Sequence, residues 1–302
     1  MSGKAPVGLV GIGLIGGALA RRLIDAGHPV VGYDVDAGRR ESLTAMGGKG
    51  VDTLAEVFRT AERIVLAVFN TDQVEEVIEG EGGLAAYAAE NGIDRLAIVV
   101  STCDPARITQ LAGRLSGGPV HLLEVPISGA SGQVAAGDGI GLVAGEKADA
   151  DAAADILSAI CKKCHFMGAS GNGGRTKLAV NLILGINRTG LAEGLVFADA
   201  LGLPLPAFLD AAKDSAAYSQ IMDIKGDAMV AGDFSPQGRV AQSTKDARLM
   251  IEAADAAGQE LPLGRTYLDI LEKSILAGDA DLDNSAVMRE IQRRKRRNGS
   301  ET

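Results

Sequence analysis

Lys177 and Asn181 stand four residues apart at the end of GNGGRTKLAVN, the run that fills 171–181. Four residues is about one turn of an α-helix, so both side chains leave the same face. An amine gives and takes protons and an amide holds an oxygen, so the pair suits a small oxygenated molecule. Gly171, Gly173 and Gly174 read as a flexible lip ahead of them, and the apolar run 182–186 carries the helix onward. A second constellation, Gly11-Ile12-Gly13-Leu14-Ile15-Gly16, follows the apolar strand at 7–10 and opens a helical pattern at 18–26. A third, Ser128-Gly129-Ala130, follows an apolar strand at 121–125. Its hydroxyl and backbone N–H groups form a turn suited to a carboxylate.

The glycines of the second constellation have separate tasks. Gly11 permits a tight turn, Gly13 lets backbone approach a diphosphate, and Gly16 lets the helix lie close on its strand. The N–H groups and dipole of the helix start favour the phosphates. A second strand, 30–33, ends at Asp34, near the ~20-residue spacing expected for the acid that accepts from the adenosine ribose. A carboxylate there repels a 2′-phosphate, so NAD is favoured. Arg39 and Arg40, close behind, keep NADP as the alternative.

The surrounding pattern places these groups. Apolar strands at 64–68 and 96–100 are followed by loops holding Phe69 and Asn70, and Thr102. In a doubly wound sheet such loops lie at the carboxyl ends of the strands, where a cofactor binds. Thr102 reads either as a cofactor contact or as a helix cap before Pro105. Helices at 133–136 and 148–160 and a strand at 163–167 follow. From 178 a helix runs to 201, apolar on nearly every side, as a buried spine would be. Beyond it come only helices, broken by residues such as Gly202, Pro204, Pro236 and Pro262. The expected fold is α/β: an N-terminal Rossmann dinucleotide-binding domain over 1–168 and an all-helical domain over 169–302, joined by the long helix.

The chain has 302 residues, 46% hydrophobic and 23% charged, with a net charge of −9. That balance argues against binding nucleic acid or an anionic membrane surface. Three cysteines make no disulfide framework and point to a reducing, cytoplasmic setting. The glycine-rich apolar start mimics a secretory signal but continues into an amphipathic helix, and no stretch is long enough to span a membrane. Cys161-Lys-Lys-Cys164-His165 spells a haem-attachment motif, yet reads best as two packing cysteines. No ligand spacing suggests a metal. The basic run 293–297 reads as a solvated tail.

Taken in order, several motifs resemble the β-hydroxyacid dehydrogenase family, which includes 3-hydroxyisobutyrate dehydrogenase and tartronate semialdehyde reductase. They are GLVGIGLIGGALA at 8–20, STCDP at 101–105, EVPISGASGQVAAGDGIGLVAG at 124–145, GNGGRTKLAVN at 171–181, STKDARL at 243–249 and DNSAV at 283–287. The resemblance covers nearly the whole chain. It implies a C-terminal domain like that of 6-phosphogluconate dehydrogenase, pairing subunits into a homodimer or homotetramer. It matches Lys177 with the catalytic lysine, Asn181 with its substrate-positioning neighbour, and Ser128 and Gly129 with the substrate turn. Thr102 and Lys245 match cofactor contacts. Three positions depart from the family pattern: Ala130 for a glycine, Leu182 for a second asparagine, and Asn70 for a proline. The activity implied is hydride transfer between NAD(P) and a small 3-hydroxy acid or its semialdehyde, with Lys177 as general acid and base. The alternatives are an NADPH-preferring reductase of a semialdehyde or imine, and a non-catalytic NAD-sensing module.

Overall fold

The computed structural model describes residues 4–294, and the chain divides into two compact units, 1–178 and 179–302. In the first, five apolar runs form strands buried on both faces: β1 (Val7–Val10), β2 (Val30–Tyr33), β4 (Arg63–Leu66), β5 (Arg95–Val99) and β6 (Val120–Glu124). The two-residue β3 (Lys49–Gly50) completes the edge. All six pair in parallel, in the order β3-β2-β1-β4-β5-β6. Alternate residues feed opposite faces. Leu9, Val65 and Ile98 join one apolar cluster, while Val10, Ile64, Leu66 and Val99 join the other. The covering helices are α1 (Leu14–Asp25), α2 (Ala37–Ala45), α3 (Leu54–Thr60), α4 (Thr71–Glu79), α5 (Leu84–Asn91) and α6 (Pro105–Leu115).

A second sheet, β7 (Ile127–Ser128), β8 (Ile140–Val143) and β9 (Lys163–Phe166), follows, with β7 antiparallel and β9 parallel to β8. Between these strands lie α7 (Ser131–Ala135), α8 (Lys147–Ala152) and α9 (Ala154–Ile160). Three features differ from the sequence reading. The strands β3, β7 and β8 were hidden, two by their length and β8 by the glycines around it. The single helix expected over 148–160 is two, broken at Ala153 (φ −98°, ψ 3°), where no glycine or proline signals a break. Helix α1 starts inside the glycine motif rather than at residue 18.

Helix α10 (Asn172–Ala200) opens in the first unit and runs on into the second, starting six residues before the expected 178. The second unit continues with α11 (Leu205–Lys213), α12 (Gln220–Ala231), α13 (Val240–Ala256), α14 (Pro262–Leu276) and, after a 3₁₀ turn at Asn284–Ala286, α15 (Val287–Arg293). Leu191, Leu195, Leu209, Met229 and Leu271 share its core. The apolar character of α10 does not mean burial on all sides, because Ile183, Phe197 and Leu201 are exposed. The DNSAV motif supplies a buried polar hub. Asp283 Oδ2 accepts from Lys225 Nζ at 2.8 Å and the Gln237 N–H at 2.9 Å, and its Oδ1 accepts from the Ser285 hydroxyl at 2.7 Å. Burial pushes the Asp283 carboxyl up, but the bonds from Lys225 and Ser285 outweigh it and hold the group below its ordinary range. Of the basic run, Arg293 and Arg294 pair with Asp279 and Asp269 rather than trailing in solvent. The remainder of that run lies outside the described residues.

Candidate active site

The strand order reverses between β1 and β4, and Gly11 stands where β1 ends. Its φ is +90°, and a Cβ there would stand 2.5 Å from the Ala67 carbonyl oxygen, so only glycine fits. A Cβ on Gly16 would run into the Gly11 carbonyl. By contrast, a Cβ on Gly13 would meet only Arg39 Nη1, at 3.9 Å. Gly13 caps α1 without any side-chain hydrogen bond. An open, uncapped helix start at a switch point fits the diphosphate of a dinucleotide.

Asp34, 5% exposed, is tied to that loop. Its Oδ2 accepts from the Ile12 N–H at 2.7 Å and its Oδ1 from the Asp36 N–H at 2.9 Å. Arg39 Nη1 lies 3.4 Å from Oδ2, and Arg40 donates to the Asp34 carbonyl at 2.7 Å. The acid therefore has a structural task beyond meeting a ribose: it holds the glycine turn against the end of β2.

The neighbouring loops are stitched together. The Ser101 hydroxyl donates to the Val68 carbonyl at 2.7 Å, and the Asp104 N–H to Thr71 Oγ1 at 2.9 Å. Asn70 caps α4, accepting from the Gln73 N–H at 2.9 Å, while Gln73 Oε1 accepts from the Phe69 N–H at 2.7 Å. This reciprocal cap explains an asparagine at a position where a proline has no side-chain acceptor to offer. Asp104, not Thr102, caps α6, through the Ala106 N–H at 2.8 Å, and Thr102 is buried nearby in sequence. At the turn after β7, Gly129 has φ +150°. The Ala130 N–H donates to Gln133 Oε1 at 3.0 Å, so one backbone donor expected to be open in this turn is already occupied.

Lys177 is 6% exposed. The glycines before it are not a flexible lip. Glu124, 2% exposed at the end of β6, accepts from the Gly171 N–H at 2.6 Å and the Gly174 N–H at 3.1 Å, fastening the start of α10. A Cβ on Gly173 would stand 2.8 Å from the Leu142 carbonyl oxygen, and one on Gly174 3.1 Å from Glu124 Oε1. Burial pushes the Glu124 carboxyl up against the opposing pull of the glycine N–H groups and Arg175. Sequence reasoning missed Glu124; an acid closing an otherwise apolar strand was the available signal. In the second unit, Asn181 Nδ2 donates to Asp246 Oδ2 at 3.0 Å, and Lys245 Nζ lies 2.9 Å from Asp246 Oδ1. Asn181 and Lys245 thus share a carboxylate that was also missed, although it stands beside Lys245 in STKDARL. Among the described residues, no group of His, Cys, Asp or Glu is placed to hold a metal ion.

Comparison with known proteins decides the family. Residues 6–168 match the NAD binding domain of 6-phosphogluconate dehydrogenase, and residues 171–291 match the NAD-binding family of NADP-dependent 3-hydroxyisobutyrate dehydrogenase. The chain belongs to the β-hydroxyacid dehydrogenase family. It is an NAD(P)-dependent oxidoreductase. It is 28% identical to L-threonate dehydrogenase of Escherichia coli K12 over 285 residues, 94% of this chain and 93% of that one. It is 27% identical to 2-hydroxy-3-oxopropionate reductase of the same organism, over 95% of this chain and 97% of that one. The crystal structure of 3-hydroxyisobutyrate dehydrogenase from Salmonella typhimurium superposes with a TM-score of 0.86 at 26% identity, covering 95% of this chain and 99% of that one. Among the described residues, no helix of this β-hydroxyacid dehydrogenase is long and apolar enough to cross a membrane.

Proposed function

We propose that this enzyme interconverts a short 3-hydroxy acid and its semialdehyde, with Lys177 as the proton carrier. The observation that carries the reading is a buried lysine three residues beyond a helix start that is itself fastened by Glu124. Its relatives include an L-threonate dehydrogenase, a 2-hydroxy-3-oxopropionate reductase and a 3-hydroxyisobutyrate dehydrogenase, which supports a small hydroxylated acid as substrate. When bound, the nicotinamide exchanges a hydride with the carbinol carbon. Lys177 takes the hydroxyl proton in oxidation and returns it to the carbonyl oxygen in reduction. Ser128, Gly129 and Ala130 form the turn that receives the substrate carboxylate. Asn181, oriented by Asp246, steadies the hydroxyl oxygen. Gly11, Ile12, Gly13, Leu14, Ile15 and Gly16 cradle the diphosphate; Phe69, Asn70, Thr102 and Lys245 complete the cofactor contacts.

Replacing Lys177 with Ala lowers turnover by roughly 10²–10⁴ while leaving the thermal midpoint near that of the parent. Turnover that falls only a few-fold on every short 2- and 3-hydroxy acid tested removes Lys177 from this role.

Asp34 favours NAD. A second reading, NADP with Arg39 on the 2′-phosphate, is supported by Arg39 lying beside both Asp34 and the open face of Gly13. The ratio of kcat/KM for the two cofactors separates them. Three free cysteines suit a reducing cytoplasm. The exposed Ile183, Phe197 and Leu201 of α10, with open space over Gly190, support a homo-oligomer built on that helix. Phe197→Glu then lowers the mass seen by light scattering to that of one chain, and an unchanged oligomer places the interface elsewhere.

A further inference from the structure

The CxxC motif has no part in the hydride chemistry, yet its geometry is specific. Cys161 closes α9 and lies buried in the core, whereas Cys164 stands exposed on β9. The two sulfurs converge on one strand position. Gly141 of β8 is the register partner of Cys164, and a Cβ there would stand 2.9 Å from Cys161 Sγ and 3.0 Å from Cys164 Sγ. The glycine makes room for both. The two thiols are hydrogen-bonded to each other, and the Gly141 N–H also donates to Cys164 Sγ. The bond from Cys161 holds the Cys164 thiol below its ordinary range, while that same bond and burial push Cys161 up. An accessible sulfur stabilised as thiolate, beside a second thiol that can resolve it, is the arrangement of an oxidation-sensitive dithiol.

We propose that Cys161 and Cys164 are a reversible oxidation site that takes hydroperoxides as oxidant and closes to an intrachain disulfide. The Cys164 thiolate attacks the terminal peroxide oxygen; a sulfur–oxygen bond forms, the O–O bond breaks, and the alkoxide or hydroxide leaves and takes up a proton. Cys161 then attacks the resulting sulfenic acid. The S–S bond forms, the S–O bond breaks, and hydroxide departs as water with the Cys161 proton. The two sulfurs lose two electrons together and the peroxide gains them. A small dithiol reverses the reaction by exchange. The disulfide would cross the strand that pairs with β7, whose Ser128 opposes Ile140.

The test uses the reduced full-length protein and hydrogen peroxide, followed by alkylation of the remaining thiols. Trypsin cleaves after Lys162 and Lys163, which separates the two cysteines onto different peptides. In the oxidised sample these peptides stay joined, two hydrogens lighter, and dithiothreitol parts them. Cys164 reacts at least roughly tenfold faster than the buried Cys103. Cys161→Ser stops at a sulfenic acid on Cys164 that dimedone traps, and Cys164→Ser gives neither product. Wild-type protein whose two peptides separate without reductant overturns the proposal, as does a Cys164 no faster than Cys103. Because the readout is thiol chemistry, the outcome is independent of which substrate the enzyme turns over.

Discussion

Asp34 shows how one carboxylate serves two ends. Each of its oxygens already accepts a backbone N–H, from Ile12 at 2.7 Å and Asp36 at 2.9 Å, and each keeps a lone pair for a ribose hydroxyl. Asp34→Ala leaves both N–H groups unmet and lowers unfolding free energy by about 1–3 kcal/mol. It also narrows the preference for NAD over NADP, by roughly tenfold if one ribose hydrogen bond is lost. Equilibrium denaturation and cofactor kinetics check the two effects separately. An Asp34→Ala protein with unchanged cofactor preference would assign the acid to the loop alone. The glycine spacing and the acid at the end of β2 were legible in sequence because their geometry is local. The bond from Ile12 to Asp34 was not, since it joins residues 22 apart.

At the scale of an element, the start of α10 is built by close approach. Gly173→Ala drives a methyl toward the Leu142 carbonyl, 2.8 Å from the ideal Cβ, and destabilises by about 1–3 kcal/mol. Gly113→Ala in α6, where nothing lies within 4 Å of the Cβ, is stabilising by about 0.5–1 kcal/mol. Thermal unfolding of the two variants checks the contrast. Both positions are helical glycines in the sequence. What distinguishes them is a carboxylate 47 residues upstream of Gly171, which periodicity cannot reveal. For the same reason the cap at Asn70, made by a neighbour three residues on, was within reach of sequence reasoning, whereas the break between α8 and α9 carried no local signal.

At the scale of the molecule, the two units answer pH with opposite signs. Asp283 has a lowered folded pKa, so its stabilising charge is fully present above the unfolded value of about 3.9 and lost as pH falls through the folded one. Glu124 has a raised folded pKa, so its contribution is full below about 4.3 and lost as pH rises through the folded value. The advantage of the parent over Asp283→Asn therefore grows as pH rises through the acid range, while its advantage over Glu124→Gln shrinks. Urea unfolding at several pH values between about 3 and 7 reads both slopes. The parallel sheet was visible in sequence from its runs of apolar residues. The hub at Asp283 appeared only as a motif, because its partners Lys225 and Gln237 lie 58 and 46 residues away.

Two helices begin near the proposed chemistry, and they begin differently. The first turn of α1 has no side chain over it, whereas that of α10 already holds the chain's own carboxylate. A negatively charged guest is thereby sorted by the backbone itself: phosphates are welcomed at one helix start and turned away at the other. A substrate acid that approaches Lys177 must find its counter-charges among side chains and the Ser128 turn, which leaves selectivity among small acids open to change by single substitutions there.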